Sequence, residues 1–272
     1  MLKNFMKDEY LHVEQKPVAL ITVLWTGGMD SSYRMIQLSK SPVRIQPVYL
    51  MDNRRSEQKE LNAISEITKD INNHPETRCT ILPLFKYAVA DIPSDKHITE
   101  AYLRLHALTS IGSQYDWLAR FAKFYPGIEI SFEKCETNKT YICMHTKGSY
   151  KKVTQGDISY AELDKTKTDP DLYAVFGNFH FPLPLFETVK LEELNEFKRL
   201  GFEHSIHKTW FCHNPINNEP CGICKPCQSV VEEGLTFRMT PAALKRYNED
   251  IKYRNTNWYN NYKKIRRRIM GY

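Results

Sequence analysis

The sequence predicts an α/β fold, a parallel sheet with helices on both faces and a cysteine-rich, zinc-binding segment towards the C-terminus. Three observations carry this reading. Apolar, β-branched runs alternate with stretches of helical spacing. A glycine pair breaks the chain directly after the first run, and Cys212, Cys221, Cys224 and Cys227 fall within sixteen residues.

Residues 18–25 are a continuous apolar and β-branched run, as expected of a strand buried on both faces. The run stops at Thr26-Gly27-Gly28-Met29-Asp30-Ser31-Ser32, and residues 33–39 take helical spacing. Residues 43–51 read as a second strand interrupted by Pro47, and 56–72 as a helix with Leu61, Ile64 and Ile67 on one stripe. A short strand over 80–84 completes β-loop-α-β-α-β, the order of a parallel sheet. Helical spacing from 99 to 124 ends at Pro126-Gly127, and 128–132 reads as a further strand. Residues 133–171 are polar and rich in lysine and threonine; we read them as an insertion, with a hairpin across 140–145 and 150–153. Apolar character resumes at 174–176 and 179–185, and 190–200 is an amphipathic helix closed by Gly201. Thr240-Pro241 opens a last helix with a hydroxyl cap and a proline in first position. Leu244, Tyr247, Ile251, Trp258, Tyr262, Ile265 and Ile269 keep its spacing. The expected organisation is a domain over 1–205 carrying the insertion, a cysteine segment over 206–240 and a basic helix over 241–272.

The chain has 272 residues, 42% hydrophobic and 26% charged, which excludes a disordered, collagenous or coiled-coil protein. Its longest apolar run is too short for a bilayer span, and no apolar signal core follows the N-terminus, so no membrane contact and a cytoplasmic location are expected. Seven cysteines are too sparse for a disulfide scaffold, and an odd number argues for reduced thiols. From Lys245 onward nine basic and two acidic residues give +7; with +6 for the whole chain, the preceding 244 residues carry −1. The basic tail is compatible with nucleic-acid contact, and we favour the plainer reading of a solvated helix face.

The loop from Thr26 to Ser32 is where chemistry is expected to start. A glycine pair lets the backbone approach an anion, and the amides opening the next helix point at it with the helix dipole behind them. Asp30 and Ser31 stand at that mouth as candidate catalytic residues; Thr26, Gly27, Gly28, Met29, Ser32 and, at the end of the second strand, Asp52 are candidate nucleotide contacts. The plain alternatives are a capped strand-to-helix turn and, for Asp52, a strand-end turn. Neither the kinase-type phosphate loop nor the three-glycine dinucleotide fingerprint is present. Cys212-x8-Cys221-x2-Cys224-x2-Cys227 supplies four thiolates, enough to close a tetrahedral zinc site that would be structural. An iron–sulfur cluster is its rival. Cys79, Cys135 and Cys143 read as small buried apolar residues.

Thr26-Gly27-Gly28-Met29-Asp30-Ser31 resembles the Ser-Gly-Gly-x-Asp-Ser pyrophosphate loop of the N-type ATP pyrophosphatases, with threonine keeping the leading hydroxyl. Further along stand Pro184-Leu185, Thr188-Val189-Lys190 opening a helix, and Lys208-Thr209-Trp210-Phe211-Cys212 before the remaining cysteines. Together they resemble the QueC family of 7-cyano-7-deazaguanine synthases over about residues 18–132 and 174–240. The resemblance implies a Rossmann-like, adenine nucleotide α-hydrolase fold, ATP with Mg2+, a structural zinc and a deazapurine carboxylate substrate. In that family ATP adenylates 7-carboxy-7-deazaguanine, ammonia displaces AMP, and a second ATP drives nitrile formation. We expect a homodimer. The chain departs from the family where the substrate segment should follow Ile128-Glu129-Ile130-Ser131-Phe132: Glu133-Lys134-Cys135 and the insertion stand there, and Met51-Asp52-Asn53-Arg54 replaces a Tyr-Gly-Gln motif. The acceptor could therefore be another amine, including a protein amine, as in QueC-like proteins of antiviral defence systems. The rival functions are a tRNA-modifying thiolase and a non-catalytic nucleotide-binding subunit.

Overall fold

The structure, a computed structural model, describes residues 19–256. Val18 and the tail residues Trp258, Tyr259, Tyr262, Ile265 and Ile269 lie outside the described residues, as does most of the basic tail. β1 (Leu20–Leu24), α1 (Met29–Ser39), β2 (Arg44–Met51) and α2 (Glu57–Asn73) follow in the expected order. β3 (Thr80–Ile81) and β4 (Phe85–Ala88) both pair parallel to β2, so the single strand expected over 80–84 is two short ones. After α3 (Lys96–Thr109) and α4 (Gln114–Ala122) the chain returns to the other side of β1, where β5 (Ile128–Glu129) pairs parallel with it. The sheet order β3-β2-β1-β5-β8-β7-β6 therefore switches direction between β1 and β5. At such a switch a crevice opens beyond the carboxyl ends of the strands.

Pleating sends successive strand residues to opposite faces, and both faces are covered. Val23, Ile45 and Tyr49 pack with Tyr33 and Ile36 of α1, Ile64 and Ile67 of α2, and Phe197 of α7 (Lys190–Arg199). Leu24, Val48 and Leu50 pack with Leu105 of α3, Phe121 of α4 and Phe176 of α6 (Pro170–Phe176). Burial on both faces is why the carboxyl end of β1 is apolar, with Val23 on one face and Leu24 on the other. The buried Arg34 of α1 grips the buried Glu129 of β5 with two hydrogen bonds of 2.7 and 2.5 Å, fixing α1 across the switch point.

The polar stretch departs most from expectation. Residues 140–145 are not a strand: they belong to α5 (Lys139–Lys147), whose cap residue Asn138 accepts hydrogen bonds from the amides of Thr140 and Tyr141. The helix buries Thr140, Cys143 and Met144, a three-four spacing that its polar residues obscure. The hairpin instead joins β6 (Tyr150–Gln155) to β7 (Ile158–Leu163), and β7 pairs antiparallel with β8 (Phe179–Pro182). The segment read as an insertion thus extends the main sheet. The helix expected over 99–124 breaks at Ser110, which takes a left-handed conformation, and residues 174–176 end α6. α8 (Glu203–Ile206), α9 (Lys225–Glu232) and α10 (Pro241–Arg254) follow, α10 opening as expected on Thr240, whose hydroxyl accepts from the Ala243 amide.

Candidate functional site: a cleft at the strand switch point

A cleft of about 1300 Å³ lies at the carboxyl ends of β1 and β5. Thr26, Gly28, Met29, Asp30 and Ser31 form its floor, Asp52 and Arg54 one rim, Ile130 to Glu133 another, and Trp210, Phe211 and Arg238 a wall from the C-terminal segment. Gly27 and Ser32 build the loop without lining the cleft. Gly27 turns with φ +69°, and a Cβ there would stand 2.7 Å from the Glu60 carbonyl and 2.9 Å from the Ala63 Cβ, so glycine alone lets the loop press on α2. Buried Ser32 accepts a 3.0 Å hydrogen bond from Trp25 Nε1, tying the helix start to the end of the strand. Ser31 Oγ lies 3.5 Å from Thr26 Oγ1 and 3.4 Å from the Gly28 carbonyl oxygen, so these two hydroxyls meet across the loop. Gly28 caps α1 with no side chain over the mouth. The first-turn amides are those a helix leaves without internal partners, and the dipole favours an anion there.

Lys190, the first residue of α7, is the centre of the polar floor. Its ammonium donates to the Asp30 carboxylate, lies 2.7 Å from Glu133 Oε2 and 3.4 Å from Glu193 Oε2. Burial opposes its charge, but Asp30, Glu193 and Glu133 outweigh burial and raise its pKa, so it stays protonated. Burial first, and Asp30 second, push the Glu133 carboxyl up to about 7. Burial likewise raises Glu193 well above the usual carboxylate range. The ligand oxygens of Asp30, Glu133 and Glu193 lie within 4.8 Å of one another, a set that could hold a metal ion. Hard oxygen donors of this kind suit Mg2+. At the rim, Asp52 is engaged by Arg54, whose Nε donates to Oδ1 at 2.6 Å.

Of these residues, sequence reasoning missed Glu133, Glu193 and Arg238, and noticed Lys190 only as a helix start. Glu193 carried a usable signal, since it stands three residues after Lys190 on the same helix face. Glu133 and Arg238 carried none, because contact across the fold alone brings them to the loop.

The four cysteines converge. Cys221 and Cys227 sulfurs are 3.8 Å apart, Cys212 and Cys224 3.9 Å, and Cys224 and Cys227 3.4 Å. A tetrahedron with Zn–S of about 2.3 Å has sulfur–sulfur edges of about 3.8 Å, so the donor set fits zinc. The Cys221 amide donates to Cys212 Sγ at 3.1 Å and the Cys224 amide to Cys221 Sγ at 3.3 Å, which favours thiolates. Gly222 turns with φ +84° against the start of α10, where a Cβ would meet the Ala243 carbonyl oxygen at 2.2 Å. Arg246 of α10 donates to the carbonyls of Cys221 and Pro220 at 2.9 and 2.8 Å. This knuckle positions the cleft wall: Trp210 Nε1 donates to the Cys212 carbonyl at 2.7 Å, and the Trp210 amide to the Gly27 carbonyl at 2.9 Å.

The chain matches no family model and no curated protein. Among the described residues no helix is long and apolar enough to cross a membrane.

Proposed function

We propose that this chain is a Rossmann-like, QueC-type ligase that uses ATP to adenylate the carboxylate of 7-carboxy-7-deazaguanine or a close deazapurine relative. The observation that carries the reading is the Lys190–Asp30 ion pair in the switch-point cleft, which joins the loop to the Thr-x-Lys helix start from 160 residues away. These are two of the segments on which the family resemblance rests. A substrate carboxylate oxygen attacks the α-phosphorus, the α–β bridging bond breaks, and pyrophosphate leaves. An amine then attacks the acyl carbon and AMP departs with the carboxylate oxygen. Adenylation supplies the leaving group that a bare carboxylate lacks. The α1 amides hold the polyphosphate, Asp30 orients Lys190, and Lys190 meets charge that develops at phosphorus. Mg2+ bound with the nucleotide would neutralise the leaving pyrophosphate, and Asp30, Glu133 and Glu193 are its candidate holders.

One observation favours a second acceptor over ammonia. Where the family's substrate segment begins, Glu133 lies 2.7 Å from the Lys190 ammonium, and the rebuilt stretch beyond it adds a hairpin to the sheet. A protein amine is the acceptor that reading names. The thiolase alternative needs a reactive cysteine pair or an iron–sulfur cluster, and a basic body; among the described residues Cys135 is the one cysteine lining the cleft, and the 244 residues before the tail carry −1.

The test incubates the protein with ATP, Mg2+, 7-carboxy-7-deazaguanine and ammonium, following AMP by chromatography and every product, the intact chain included, by mass spectrometry. Free amide or nitrile with AMP supports the synthase, a mass gain on a protein supports conjugation, and absence of AMP overturns the ligase. Asp30→Ala should lower AMP formation about 100-fold or more while the protein stays folded; full activity in that variant would refute the loop assignment.

A further inference from the structure

Among the described residues, Arg238 in the cleft wall has no counter-ion. It closes a short 3-10 turn (Thr236–Arg238) between α9 and α10. Its Nη2 donates to Thr209 Oγ1 at 2.7 Å and to the Thr209 carbonyl at 3.3 Å, and the guanidinium lies over the Phe211 ring, 4.7 Å from the centroid. Its Nη1 meets the sulfur of Met29, the first residue of α1, at 3.8 Å, and thioether sulfur is a poor acceptor. Among the described residues no carboxylate comes within ion-pair distance of it; Asp30, Glu233 and Glu193 act on it from farther away. Burial lowers its pKa to about 10, which leaves it charged at neutral pH. A partly buried guanidinium held by a hydroxyl and an aromatic ring, with one nitrogen spent on sulfur, is arranged for an anion that arrives from outside. Lys190, also at the mouth of α1, is already surrounded by carboxylates.

We propose that Arg238 is the anchor for a phosphate oxyanion bound at the mouth of α1, the polyphosphate of the nucleotide, and that it adds to the attraction of Lys190, whose charge Asp30, Glu133 and Glu193 already offset in part. The proposal deepens the adenylating reading and rests on it. Phosphate is favoured over a substrate carboxylate because Arg238 lines the same cleft as Gly28, Met29, Asp30 and Ser31, where the opening of α1 favours an anion.

The experiment titrates the zinc-loaded full chain with inorganic pyrophosphate, ATP, adenosine and 7-carboxy-7-deazaguanine, each with Mg2+, by calorimetry. It compares wild type with Arg238→Met and Arg238→Lys, with metal content and melting temperature as controls for folding. Losing charge-assisted hydrogen bonds should weaken pyrophosphate and ATP roughly 10- to 100-fold in Arg238→Met and leave adenosine unchanged. Arg238→Lys keeps the charge but not the planar fork and should fall between; if the methionine variant does not fold, an unchanged Kd for pyrophosphate in the lysine variant overturns the proposal. Wild type that binds neither ATP nor pyrophosphate sinks the adenylating reading together with this one. Wild type that binds both while Arg238→Met binds them equally well removes the Arg238 assignment alone. Selective loss of 7-carboxy-7-deazaguanine would give the guanidinium to the substrate carboxylate and overturn the phosphate anchor.

Discussion

The two walls of the cleft are held in place by different physics. The loop wall follows a fully buried strand end, with Val23 and Trp25 completely inaccessible, and its helix is pinned by apolar contacts and the Arg34–Glu129 pair. The Trp210 wall hangs on a segment that between Thr209 and Lys225 has no helix or strand longer than an isolated bridge between Ile216 and Glu219. Four sulfurs, the Arg246 hydrogen bonds and one amide to Gly27 do the work that a sheet does opposite. A cleft built this way should lose one wall at a time.

The largest expected effect is on the sulfur wall. Structural zinc contributes about 10–16 kcal/mol to the folding of small domains, so if the proposed zinc site and ATP cleft are right, Cys224→Ala should lose the metal, disturb the Trp210 environment in near-ultraviolet circular dichroism and abolish nucleotide binding. A soluble Cys224→Ala protein that retains one zinc and binds ATP would break the comparison. Next comes Gly27→Ala on the loop wall. A left-handed alanine costs about 1–2 kcal/mol, and the 2.7 Å approach to the Glu60 carbonyl adds to it. A total of about 2–3 kcal/mol lowers Tm by about 4–10 °C in a chain of this size, with zinc content unchanged. An unshifted Tm would show that the loop is not packed on α2 as described.

The smallest effect sharpens the floor between the walls. Glu133 has its pKa raised by burial to about 7 in the folded chain, from an unfolded value near 4.5. Between these values the folded state binds the extra proton, so stability falls as pH rises from about 4.5 to 7 and the loss is complete above that. Glu133→Gln should flatten this part of the Tm–pH curve, and an identical slope in both proteins would mean that Glu133 ionises without penalty.

Much of this was legible along the chain. Thr26 to Ser32 and the cysteine spacing could be read because their members are consecutive or nearly so, and β1 and β2 because their carboxyl-terminal halves are apolar and buried, Val23 and Leu24 in one and Val48, Tyr49 and Leu50 in the other. The hairpin partner was misread because Thr140, Cys143 and Met144 place few apolar residues among many polar ones, so a short amphipathic helix resembled a strand. The break at Ser110 left no signal in composition, since a left-handed serine is a decision of packing.

By itself the sequence determined the alternating layers, the glycine turn after β1 and the sulfur donor set, because each is written in local period, glycine placement or spacing. Only the tertiary structure decided that Lys190, Glu133 and Glu193 meet at Asp30 and that Arg238 stands beside Met29 with no carboxylate paired to it among the described residues. Charges are placed by burial and by what faces them across a fold, and the dielectric environment that sets their protonation does not exist until the chain has closed around them.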